Sequence, residues 1–123
     1  MPRLTGSGTE SQLKRSVMKM LALEYPRAVV RKRHGSMYST AGDPDLEILL
    51  AGVHIECELK RPGENPTQLQ QRRLAEWAAA GAVTACVHSV GEMREVMHGV
   101  VSSITSSKRI YNCQGENQAL PAG

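Results

Sequence analysis

Large aromatic side chains are nearly missing from this chain, which has no Phe, one Trp and three Tyr in 123 residues. An aromatic core is excluded, so Val, Leu, Ile, Met and Ala must fill it. The same scarcity excludes a stacking platform for single-stranded bases. Cysteine is sparse too. Cys57, Cys86 and Cys113 form an odd set without C-x-x-C spacing, which excludes a disulfide framework and offers no zinc site. Cys57 and Cys86 lie in apolar, strand-like runs and read as small core residues in a reducing, cytoplasmic setting. No signal peptide is visible, no apolar run is long enough to span a membrane, and no repeat or linker interrupts the chain. The length fits one domain, residues 1–123, with a core over about 9–105 and a loosely held polar tail over about 106–123. Such a chain buries roughly two-thirds of its unfolded surface and can fold without staples. The net charge of +3 suits a polyanionic partner without requiring one.

Periodicity supplies the elements. Leu13, Val17, Met20 and Leu21 recur at helical spacing and predict a helix over about 9–24, ended by Pro26. Residues 28–30 read as a strand running into Arg31-Lys32-Arg33-His34. A Gly/Ser/Thr-rich loop covers 35–43. A buried strand over 46–50, a turn at Ala51-Gly52 and a strand over 53–60 follow. The last alternates: His54, Glu56, Glu58 and Lys60 point to a solvated face, and Val53, Ile55, Cys57 and Leu59 to the other. Asn65 as N-cap and Pro66 in the first turn open the next helix, which carries Gln70, Leu74, Trp77 and Ala78 on one stripe and stops at Gly81. Residues 82–88 read as a buried strand. Ser89-x-x-Glu92 is a capping box opening a helix with Met93, Val96, Met97, Val100, Val101 and Ile104 at helical spacing. The order α-β-β-β-α-β-α predicts an α/β fold, a small mixed β-sheet flanked by helices.

One pair of segments carries chemistry: Gly42-Asp43-Pro44-Asp45 and Glu56-Cys57-Glu58-Leu59-Lys60. If their strands pair, the Asp45 and Glu58 carboxylates meet at one end of the sheet. Two carboxylates can hold Mg²⁺ or Mn²⁺, hard ions that retain waters. A bound water then ionises more readily, and the ion offsets phosphate charge during attack. Lys60, two residues on, can orient that water or stabilise the transition state. This is equipment for cutting a phosphodiester. Glu-x-Lys alone is also a common strand salt bridge; the upstream Pro44-Asp45 raises the catalytic reading above it. Two readings stay open for Glu10: a third acid at the metal, or the partner of Ser7 in a capping box. Two stay open for Gln70: a ligand of the site, or a satisfied amide near a helix start. The clusters Arg31-Lys32-Arg33, Arg61 and Arg72-Arg73 can hold phosphates on both sides of a scissile bond. His34, His88 and His98 have no metal-like spacing.

Pro44-Asp45 followed by Glu58-Leu59-Lys60 resembles the PD-(D/E)xK nuclease signature. Gly42-Asp43-Pro44-Asp45-Leu46, then residues 56–63, then Thr67-Gln68-Leu69-Gln70 and Gly81, resemble the virus-type replication-repair nuclease (VRR-NUC) branch over about residues 9–90. The resemblance implies a restriction-endonuclease-like core and a Mg²⁺- or Mn²⁺-dependent DNA endonuclease. It implies metal ligation by Asp45, Glu58 and the Leu59 carbonyl, with Lys60 catalytic and Glu10 and Gln70 completing the site. Short stand-alone members of phages and bacteria imply a homodimer that cuts branched DNA, including four-way junctions, in a bacterial host cell. Two alternatives remain: an endonuclease or nickase of phage replication or repair without junction preference, and a non-catalytic DNA-binding module.

Overall fold

The computed structural model describes residues 9–34 and 39–107. The chain divides into two compact units, Met1–Met93 and Arg94–Gly123, with the boundary inside the last helix. Residues 35–38 of the expected 35–43 loop, the tail beyond 107, Ser7 and Cys113 lie outside the described residues.

The element order is α1 (Glu10–Glu24), β1 (Val29–Lys32), β2 (Leu46–Leu50), β3 (Val53–Leu59), α2 (Gln68–Ala79), β4 (Val83–Val87) and α3 (Val90–Ser107), the order that periodicity predicts. The sheet runs β1-β2-β3-β4. The first two pairings are antiparallel and β3–β4 is parallel, so the sheet is mixed. The parallel pair is joined through α2, as a crossover requires.

α1 starts at Thr9, whose hydroxyl accepts from Gln12 N–H while Gln12 caps Thr9 N–H in return. The capping box among the described residues is thus Thr9–Gln12, and Glu10 is the first helical residue. Val17, Met20 and Leu21 of α1 are buried. β2 and β3 join through Ala51 and Gly52, both at positive φ (50° and 86°), the pair of left-handed residues a tight hairpin turn demands.

α2 is capped by Thr67 rather than Asn65, with Gln70 as the reciprocal partner. Asn65-Pro66 carries a start signal, but Thr67-x-x-Gln70 satisfies two backbone donors at once and wins. No α2 residue is fully buried, and Ala78 is exposed. β4 is a sheet edge among the described strands and only Val87 is buried, so the expected buried strand is half-exposed. At α3, Glu92 N–H donates to the Ser89 hydroxyl, but the Glu92 carboxylate accepts from His88 N–H instead of Ser89 N–H.

One sheet face is the apolar core, with Leu46, Ile48, Ile55, Cys57 and Leu59 fully buried. Cys57 Sγ lies 3.7 Å from Met93 Sδ at the start of α3. In the second unit, Met97 and Val100 are buried, while Val101 is 38% exposed. The face expected to be solvated is covered as well: Glu56 is 0% and Glu58 2% exposed. Alternation reports which residues share a face; it does not report that α2 lies over it.

Candidate active site

β2 and β3 pair with Leu46 opposite Cys57 and Glu47 opposite Glu56. That register carries Asp45, one residue before β2, to the level of Glu58. The Leu59 N–H donates to Asp45 Oδ2 (2.9 Å), locking Asp45 against the end of β3. Beyond it, Lys60 N–H donates to the Val87 carbonyl (3.0 Å), so the strand ends supported on both sides. Lys60 Nζ turns back to 3.8 Å from Glu58 Oε2.

The electrostatics are unusual for a carboxyl. Burial first, and then the charge of Asp45, push Glu58 up to about 8; Lys60 opposes the shift and Glu10 adds to it. Glu58 Oε1 is buried with no hydrogen-bond partner. A buried carboxylate oxygen left without a donor is costly, and a divalent cation between the two acids would satisfy it. The donors are all oxygens, as Mg²⁺ or Mn²⁺ prefers. The residues present therefore fit a hard cation held by Asp45 and Glu58.

Lys14, from α1, lies 3.8 Å from Asp45 Oδ1. Sequence reasoning did not single it out, and nothing in its spacing would have done so. Glu10, four residues earlier, raises Glu58 through charge. α1 thus brings an acid and a base to the acid pair. The Gln70 carbonyl accepts from Thr67 N–H (2.9 Å) as part of the helix cap. Its amide nitrogen has no partner among the described residues.

The basic candidates separate into engaged and open groups. Arg33 forms a two-pronged pair with Glu56. Arg61 pairs with Glu64 (2.7 Å), and Arg73 with Glu76 and the Ala41 carbonyl. Arg31 is exposed and donates to the Val30 carbonyl. Lys32 and Arg72 are exposed and, with Arg15, carry no ion pair among the described residues. Lys14, Arg15, Lys32, Arg33 and His34 line a cavity of about 440 Å³.

His88 has a role its isolated position hid. Its Nε2 faces the Glu64 carbonyl (2.9 Å) and its Nδ1 faces Glu92 (3.1 Å). Both acceptors raise its pKa, the Glu64 carbonyl most. His88 thereby ties the segment after Lys60 to the start of α3.

Farther along the same face, Glu47, His54 and Glu56 place ligand atoms within 4.8 Å of one another and could hold a metal ion. There, however, Glu56 already meets Arg33 and His54 Nε2 (2.6 Å). Glu58, on the same strand face, has an unpartnered oxygen. Glu56 thus already has two close nitrogen partners, whereas Glu58 Oε1 has none.

No protein-family model matches the sequence. No curated protein matches it either. Two solved structures share the fold. One, "VRR_NUC domain protein", aligns at TM-score 0.61 and 19% identity over 75% of this chain and 87% of its own. The other, "VRR_NUC domain", aligns at TM-score 0.59 and 24% identity over 74% of this chain and 97% of its own. The chain has the VRR_NUC fold.

Proposed function

We propose that this protein is a Mg²⁺- or Mn²⁺-dependent endonuclease that hydrolyses phosphodiester bonds in branched DNA, such as four-way junctions, as a homodimer. The observation that carries the catalytic reading is the pairing of half-buried Asp45 with buried Glu58, whose Oε1 is unpartnered, beside Lys60. Pure binding does not require such a pair. The VRR_NUC fold supports the same reaction class.

Asp45, Glu58 and the Leu59 carbonyl are the proposed metal ligands, with Glu10 reaching the ion directly or through water. A cation bound there supplies Lewis-acid stabilisation of the phosphate and a more acidic water. Lys60 orients the attacking water and balances the charge that develops on the phosphate. Gln70 lends its amide N–H to water or phosphate while its carbonyl holds the helix cap. Arg31, Lys32 and Arg72, with Lys14 and Arg15, hold flanking phosphates. Arg33, Arg61 and Arg73 contact DNA only if they leave their present partners.

Junction preference and dimer formation rest on the resemblance and on apolar surface available to a second copy. Val29 and Leu49, cross-strand partners, are 49% and 47% exposed, and Leu23 is 72% exposed. Lys60→Ala and Asp45→Asn are expected to lower the cleavage rate by roughly 10²-fold or more while largely sparing DNA binding. Metal-dependent cutting retained in both variants would falsify the proposal.

A further inference from the structure

Two glutamates on β3 point to the same face, and only one is needed to explain chemistry. Glu56 is fully buried, beside Glu47 on the neighbouring strand. Arg33 offsets it with Nη1 on Oε1 and Nη2 on Oε2 (3.0 Å). His54 adds Nε2 at 2.6 Å and stacks on Trp77 with ring centroids 5.2 Å apart. Arg33 also lies 5.2 Å from the Trp77 ring centroid.

A buried ion pair of this kind adds little net stability, because desolvation offsets the attraction; an apolar pair of similar size often does as well. Its presence needs another explanation, and the other end of Arg33 supplies one. The Nη1 that meets Glu56 also donates to the Pro44 carbonyl (2.9 Å), and the Arg33 backbone N–H donates to the Asp45 carbonyl (2.8 Å). Both bonds hold the dipeptide that delivers the Asp45 carboxylate. The segment before it is fixed from α2. Trp77 Nε1 donates to Asp43 Oδ1 (3.2 Å), and Arg73 Nε to the Ala41 carbonyl (3.0 Å).

We infer that Arg33 is a positioning residue, set by the buried Glu56 carboxylate, that fixes Pro44-Asp45 so that Asp45 meets Glu58 in metal-binding geometry. Arg33 touches neither substrate nor metal. The inference rests on the metal centre proposed above. It changes the meaning of Arg33 from a phosphate contact to part of the support beneath the site. Groups that orient metal ligands typically change affinity by about 10–100-fold when lost.

The test replaces the pair with apolar residues of similar size, Arg33→Met with Glu56→Leu. Melting temperature without metal, Mn²⁺ affinity by calorimetry, and kcat and KM on DNA are measured for this variant, the native protein and Asp45→Asn. The expected double variant melts near the native temperature, binds Mn²⁺ at least about tenfold more weakly, and loses kcat with KM held. Arg33→Lys keeps the charge but loses the fork that reaches Glu56 and Pro44 together, and is expected to weaken Mn²⁺ in the same direction. It serves as the test if the double variant does not fold. A folded variant with native Mn²⁺ affinity and kcat overturns the inference. Native protein whose Mn²⁺ binding is indifferent to Asp45→Asn overturns the metal centre itself, and the inference with it.

Discussion

Glu56 and Glu58 are both buried, yet Arg33 and His54 hold one while the other retains an oxygen without a donor. That difference has a measurable consequence for Glu58. Its pKa rises from the ordinary 4.5 to about 8, from burial first and Asp45 second. Between those values the folded protein holds a proton that the unfolded chain has released. The folded state then binds more protons, so stability falls as pH rises through that window, and the loss is complete above about 8. Thermal melts of metal-free protein should show this decline, worth on the order of a few kcal/mol. Glu58→Gln should flatten it; an unchanged slope would refute the assignment to Glu58. Mn²⁺ must displace the proton, so its affinity should strengthen as pH rises over the same range. Asp45, Glu58 and Lys60 were legible because spacing and strand pairing suffice to bring them together. Burial of Glu56 was not, since it depends on α2 and Arg33 arriving from distant sequence. Gln70 stayed open between ligand and cap because the two look alike until the N-cap is known.

At the scale of elements, short local signals hold the site's supports in place. Gly42 has φ +84°, and a Cβ there would lie 2.6 Å from Leu69 Cγ. Gly42→Ala is therefore expected to cost about 1–2 kcal/mol and to lower cleavage, because the displaced turn carries Asp45. Native stability and activity in this variant would contradict the account. Thr67→Ala removes the cap of α2 and should cost about 1 kcal/mol in a denaturant titration. Ala51 sits at φ 50° without being glycine. Ala51→Asn should stabilise the hairpin by about 0.5–1 kcal/mol with activity unchanged, since the turn lies at the opposite end of β3 from Glu58. The order of helices and strands was readable from periodicity in every case. Competition among start signals was not, as Asn65 against Thr67 shows: capping is decided by which side chain can bond reciprocally, and both candidates fit the composition of a cap.

The whole molecule raises the questions of partner and substrate. No helix among the described residues is long and apolar enough to cross a membrane. A homodimer is expected from the apolar surface at Leu23, Val29 and Leu49, which a second copy can cover. Light scattering at micromolar concentration should give twice the monomer mass; a clean monomer would contradict the dimer and weaken the case for junction selectivity. The most direct test of the central claim is cleavage of a labelled four-way junction beside a matched linear duplex, in Mg²⁺, Mn²⁺ and EDTA, with Lys60→Ala in parallel. The account predicts cutting of the junction that requires both the metal and Lys60, with the duplex left whole. Equal cutting of both substrates would leave an endonuclease without structure preference. Intact DNA in every metal, with binding retained, would contradict the account and make the fold a binding module.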